Sequence, residues 1–234
     1  MQREERSPRK EQIPMEQQNN DHPPMELSSP LVAIMTTEHY NLQTGRAMTI
    51  SEVNGRSSLF VGAVSSGLIA LAFVGQISHL GTAFYVFSLV VLPTLFFMGL
   101  ITFERVLQAD MADTIYTRGI NRIRHLYLEY APQMQPYFIL SAHDDWEGAS
   151  GYEAMHTVWL QFYLSMPGMI TVINSVLAGS FVGLLLAAFT LPLWVCSSVG
   201  VVAFLVSAGL HPLLLRPWMR MQRNLPVLFP SPPR

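Results

Sequence analysis

The stretch SSLFVGAVSSGLIALAFVGQISHLGTAFYVFSLVVLPTLFFMGLITF, residues 57–103, runs from Arg56 to Glu104 without an Asp, Glu, Lys or Arg. A hydrocarbon core of about 30 Å is crossed by roughly 20 apolar residues of helix. The stretch therefore has room for two crossings, with a turn near His79 to Gly81. A second uncharged stretch, between Glu153 and Arg216, can be divided in the same way around Leu191 and Pro192. Four spans are expected, at 57–76, 82–103, 169–190 and 193–215. They should be helices, because lipid offers no hydrogen-bond partner to the backbone and each segment must satisfy its own N–H and C=O groups. The alternating polar residues of a membrane barrel are missing from these runs.

Composition agrees. Of 234 residues, 50% are hydrophobic and only 13% charged, against about 25% charged in an average soluble domain. All 14 Lys and Arg lie before the first span, between spans two and three, or after span four. By the positive-inside rule both termini and the central segment are cytoplasmic and both short turns face out. A net charge of −2 gives no reason to expect a nucleic-acid partner. Arg118, Arg122 and Arg124 are expected to attract anionic headgroups. The one cysteine, Cys196, falls within span four, so neither an intramolecular disulfide nor a thiolate metal cluster is expected. The first apolar run begins only after residue 56, which does not fit a secretory signal peptide.

The expected organisation is all-α, with four transmembrane helices in two hairpins. It comprises a disordered cytoplasmic tail (1–35), a lead-in helix (36–56), a first transmembrane hairpin (57–103), a cytoplasmic helical segment (104–168), a second hairpin (169–215) and a cytoplasmic tail (216–234) whose last stretch, LFPSPPR (228–234), is expected to be loose. Thr37 is the expected N-cap of the lead-in helix, with Thr49 and Glu52 as a competing capping box. Phe103, Leu107, Met111, Ile115, Gly119, Ile123 and Tyr127 recur every four residues, so span two should continue into the cytoplasm as an amphipathic helix. Ser150 and Glu153 have capping-box spacing for a further helix. Small residues also recur every four positions, at Ser58, Gly62, Ser66 and Ala70 and at Ser175, Gly179, Gly183 and Ala187. Such stripes let helix backbones approach closely, so spans one and three are expected to pack together, or one stripe to join copies of the chain.

Three constellations could carry chemistry. His143, Asp144, Asp145 and His156 offer imidazole and carboxylate donors for a divalent metal, and Glu153 with His156 has the Glu-x-x-His spacing of di-iron helices. A di-iron bundle needs two such motifs, and Glu153 is better explained as a cap, so no metal or other cofactor is expected. Asp110 and Asp113 match the beginning of an aspartate-rich motif of membrane phospholipid synthases, but the remainder of that motif is missing and they read as surface acids. Glu52, Arg56, Glu104 and Arg105 stand where the first hairpin enters and leaves the lipid. They are expected to form cross-helix ion pairs that fix the register of the two arms. With no Asp, Glu, Lys or Arg inside the spans, an ion-coupled transporter is disfavoured.

The segments TISEVNGRSSLFVGAVSSGLIALAFVGQ, FERVLQ and NRIRHLYLE resemble a group of bacterial integral membrane proteins of no assigned activity, over residues 36–190. The resemblance implies a multi-pass protein of the bacterial plasma membrane and implies no activity. The layout is also similar, as architecture alone, to bacterial membrane effectors of nucleotide-signalled defence. The leading reading is a non-enzymatic inner-membrane protein, a homo-oligomer in the lipid bilayer, whose cytoplasmic arms serve interaction, signalling or pore formation. The alternative is a membrane-bound metal-dependent enzyme using His143, Asp144, Asp145 and His156.

Overall fold

The structure is a computed structural model and describes residues 28–150 and 162–232. The described residues are helical and contain no strand. Helix α1 is Ser29–Ile77 and α2 is Thr82–Tyr130, each of 49 residues. A 3-10 turn, Pro132–Tyr137, and the short α3, Trp146–Ser150, follow. Helices α4, Met166–Ala188, and α5, Leu193–Arg223, complete the order. Four of these, α1, α2, α4 and α5, are long and apolar enough to cross a membrane. Between 17% and 33% of each apolar window is buried inside the protein, so most of that surface must find its apolar environment elsewhere, as it would in lipid.

Helix α1 starts earlier than the sequence suggested. Ser28 is the N-cap and Pro30 sits in the first turn, where its missing N–H removes a donor that has no partner anyway. Thr37 and Thr49, the two expected caps, lie inside the helix and return their hydroxyls to the carbonyls of Ala33 and Gly45, at 2.8 and 3.0 Å. Residues 29–35, assigned to the disordered tail, therefore belong to α1. Residues 1–27 lie outside the described part, as do Glu153, His156 and most of the helix expected after Ser150.

The turn between α1 and α2 is tight. Leu80 N–H bonds the Gly75 carbonyl at 3.0 Å and His79 N–H bonds that of Gln76 at 3.4 Å, the paired bonds of a Schellman motif. His79 takes the left-handed position, φ 49°, that glycine usually holds. From this turn α2 runs back along α1 in one register: Gly75 faces Phe84, Gly67 faces Leu95, Gly45 faces Tyr116 and Gly119 faces Leu42. Pro93 lies within α2 without ending it.

Helix α4 packs on α2, and α5 packs on α4. At the α4–α5 contact Gly179 and Gly200 lie face to face; a Cβ on either would come within 2.7 to 2.9 Å of the other's carbonyl oxygen. The stripe of Ser175, Gly179, Gly183 and Ala187 thus faces α5. The other stripe turns away from its expected partner: Ser58, Gly62 and Ser66 are exposed, Ala70 is half-buried, and a Cβ on Gly62 would meet nothing within 4 Å. Spans one and three share no extensive contact, and the helices stand in the sequence α1, α2, α4, α5 with α2 between α1 and α4. The core lies along that row, with Phe60 and Val64 from α1, Leu92, Phe103 and Leu107 from α2, and Ile170 and Leu177 from α4.

Candidate functional site

The polar continuation of α2 gathers the loop before α3 and the chain beyond α5 into one clasp. Asp144 is fully buried. Its Oδ2 accepts from Arg122 Nε at 2.7 Å, its Oδ1 from Phe229 N–H at 2.8 Å, and both oxygens lie 3.1 Å from Leu228 N. Asp144 N–H in turn donates to the Phe229 carbonyl at 3.1 Å. Asp145 accepts from Ser231 N–H and Oγ at 2.8 and 3.0 Å and from Gly148 N–H at 2.8 Å. Residues 228–231, in the stretch expected to be loose, are held at Leu228, Phe229 and Ser231 because these two carboxylates face a backbone with free N–H donors. His125 stacks on Phe229, centroids 3.9 Å apart.

Arginines supply the other half. Arg118, buried at 3% exposure, donates to the carbonyls of Gln222 and Leu225 at 3.0 and 3.2 Å. These flank the C-terminal end of α5, where unpaired carbonyls and the negative end of the helix dipole favour a cation. Arg122 Nη2 donates to the Pro226 carbonyl at 2.8 Å. Asn121, also buried, spans the loop by donating to His143 O and Gly148 O at 2.8 and 3.1 Å, while its Oδ1 accepts from Arg124 at 2.8 Å. Gln222 reaches Asp110 at 2.9 Å.

Electrostatics favour the closed form. Burial pushes the Asp144 carboxyl up, but the N–H groups of Phe229 and Leu228 and the Arg122 guanidinium outweigh it and hold Asp144 below the usual carboxylate range. Asp145 is lowered in the same way, burial being outweighed by the bonds from Ser231 and Gly148 and by the charge of His143. Burial draws Arg118 down, and the neighbouring Asp144 opposes it. Arg124 is lowered by burial and by Arg46.

The expected sites fare differently. Asp144 and Asp145 do adjoin His143, yet both carboxylates bind N–H and guanidinium donors, which leaves their lone pairs directed at protein. Among the described residues no three His, Cys, Asp or Glu are grouped to hold a metal; His156 lies outside them. The ion pairs expected among Glu52, Arg56, Glu104 and Arg105 do not cross between helices. Arg56 pairs with Glu52 on its own helix at 2.7 Å, and Arg105 bonds Gln108 on its own at 2.8 Å. Arg56 and Arg105 are exposed, turned from the α1–α2 seam, so equal height on the two arms did not bring the charges together. The pair that joins the arms is Arg46 with Asp113, bidentate at 2.7 and 3.2 Å. Of the two acids expected at the surface, Asp113 is half-buried and ties α1 to α2, while Asp110 is exposed and accepts a hydrogen bond from Gln222 of α5.

Inside the apolar part a smaller polar group closes the α4–α5 seam. His211 Nδ1 lies 2.8 Å from the Ser207 carbonyl and so carries the proton, leaving Nε2 to accept from Asn174 Nδ2 at 3.4 Å. Ser175 Oγ donates to Ser207 Oγ at 3.2 Å. Asn174 Oδ1 has no hydrogen-bond partner and rests against Gly99 of α2. Phe103 meets the His211 ring edge-on at 5.2 Å.

Asn121 and Gln222 escaped the sequence reading, and Arg118 was read as facing lipid headgroups, because a polar residue on an arm reads as solvated. The available signal was the i,i+4 spacing of Arg118 and Arg122, two cations on one face, against the adjacent acids Asp144 and Asp145. Comparison with protein-family models, with curated proteins and with solved structures found no match.

Proposed function

We propose that this chain is an integral protein of the bacterial plasma membrane, without enzymatic activity, that self-associates and uses its paired helical arms for interaction or signalling. Both termini and the segment after α2 lie on the cytoplasmic side, where all the Lys and Arg then fall.

One observation carries the reading: α1 and α2 pass without a break from apolar span to polar arm. Each is 49 residues long, about 74 Å at 1.5 Å per residue, more than twice the hydrocarbon core. The two share a single register throughout, from Gly75 opposite Phe84 to Gly119 opposite Leu42. A displacement of the arms is therefore transmitted to the spans without an intervening hinge. The polar groups beyond the spans hold chain segments in place, which suits a mechanical element better than a catalyst.

Self-association is assigned to the outward face of α1. Ser58, Gly62 and Ser66 present small, exposed positions, with open space around a Cβ at Gly62 among the described residues, and small residues at this spacing give close helix packing in lipid. Light scattering on the full chain in mild detergent tests this. The wild type should run as an oligomer, and Gly62→Leu should shift it toward monomer with unchanged helix content. A wild type that is monomeric at every concentration sinks the proposal.

A further inference from the structure

The described arginines fall into two groups, those with a polar partner among the described residues and those without. Among the described residues, Arg46, Arg56 and Arg122 pair with Asp113, Glu52 and Asp144. Arg105, Arg118 and Arg124 donate to Gln108, to carbonyls at the end of α5, and to Asn121. Arg216, Arg220 and Arg223 are exposed, and among the described residues their guanidinium groups make neither ion pair nor hydrogen bond. All three lie on α5, spaced i, i+4, i+7, and so share one face. No Asp or Glu follows Glu153 anywhere in the sequence, so this helix has no acid of its own to neutralise them.

Their place along α5 defines what they meet. Residues 193–215 of α5 are uncharged and span about 34 Å at 1.5 Å per residue, one hydrocarbon thickness. Arg216 stands at the end of that run, with Arg220 and Arg223 one and two turns beyond. Exposed apolar side chains accompany them: Leu213 and Leu214 before Arg216, Met219 and Met221 after it. Trp146 from α3, 41% exposed, lies under Arg223 at 5.9 Å, an aromatic ring suited to the headgroup zone.

We propose that Arg216, Arg220 and Arg223 form a binding face for the phosphates of anionic phospholipids, with the adjoining Leu and Met side chains against the upper acyl chains. The guanidinium fork matches phosphate geometry, and the three charges follow the lipid surface from its boundary outward. The sequence had placed this role on Arg118, Arg122 and Arg124. Those are committed to the clasp, and the role passes to the three arginines that make no ion pair or hydrogen bond among the described residues.

The proposal rests on α5 crossing a membrane, and the test separates the two. Full-length protein in neutral detergent is titrated with phosphatidylglycerol or phosphatidylcholine and bound lipid is read by native mass spectrometry. The wild type should retain phosphatidylglycerol in preference to phosphatidylcholine. An arginine at the surface contributes about a fivefold factor in affinity, so Arg216→Gln/Arg220→Gln/Arg223→Gln should weaken phosphatidylglycerol binding on the order of 100-fold. The triple Lys variant should stay within about threefold of wild type, and so should the control Arg56→Gln/Arg105→Gln, which removes two boundary charges elsewhere. Retention of the triple Gln variant in the membrane pellet after alkaline washing shows that insertion is intact. Unchanged phosphatidylglycerol binding by the triple Gln variant, or an equal loss in the control, overturns the proposal.

Discussion

Replacing Asp144 by Asn preserves the side-chain shape and removes the charge that gathers Arg122, Leu228 and Phe229. The loss of charge-assisted bonds, with Arg122 left unpaired, should cost about 2 kcal/mol. It should abolish hydrogen-exchange protection at the amides of Leu228 and Phe229 while leaving that of α4 unchanged. Because Asp144 and Asp145 are both held below the usual carboxylate range, their contribution is complete above the unfolded value of about 3.9 and is lost as pH falls through the lower folded value. The clasp should therefore be indifferent to pH between neutrality and about pH 5 and open in stronger acid. Protection of the same two amides, corrected for intrinsic exchange rate, reads this directly; opening on the alkaline side instead would show that the carboxylates are not its anchor. Gly99 makes a second residue-level prediction. A methyl there would strike Asn174 Oδ1 and the tip of Phe60, so Gly99→Ala should destabilise the protein by about 1 to 3 kcal/mol. In thermal unfolding, adding Asn174→Ala should recover part of that loss; if the two effects simply add, the residues are not coupled.

Among elements, the α1–α2 pair shows what periodicity conveys and where it drifts. A four-residue repeat on a helix of 3.6 residues per turn advances about 40° at each step. Of the stripe that begins at Phe103, Ile115 has left the protein interior and is 48% exposed, although Gly119 still faces Leu42 and Ile123 is buried. Existence and direction of the arm were legible from the sequence; its inner face was legible only in part, with Ile115 the member that turned outward. The ion pair that fixes the arms was hidden for a related reason. Height along two antiparallel helices follows from counting residues from the turn, but rotation depends on side-chain packing, so Arg56 and Glu104 could be matched in level and still miss. Register is tested by Leu42→Cys with Gly119→Cys in a Cys196→Ser background, which should cross-link readily under mild oxidation. Arg46→Ala should lower the yield about twofold, the effect of a half-exposed pair worth roughly 0.5 kcal/mol. Failure of the parent pair to cross-link would contradict the register itself.

At the scale of the whole molecule, four apolar helices were legible because lipid imposes a length and a lack of charge that few soluble segments share. The clasp was not, since its partners are separated by 22 residues at Arg122 and Asp144 and by 84 at Asp144 and Leu228. Proline, serine and arginine near the end of the chain carry no periodicity to announce a docked segment. Distance along the chain also gives the clasp a place in time. Residues 225–231 are synthesised after every group they bind, and a chain is made at about 5 to 20 residues per second. Until that segment leaves the ribosome, Asp144 lacks its backbone donors from Leu228 and Phe229 and Arg118 lacks the Leu225 carbonyl. The clasp is thus assembled after the four apolar helices have been made, and a nascent chain that lacks residues 225–231 displays an unfilled acceptor for them. Closure of that acceptor reports that residues 225–231 have been made, a state that a fragment arrested before them cannot imitate.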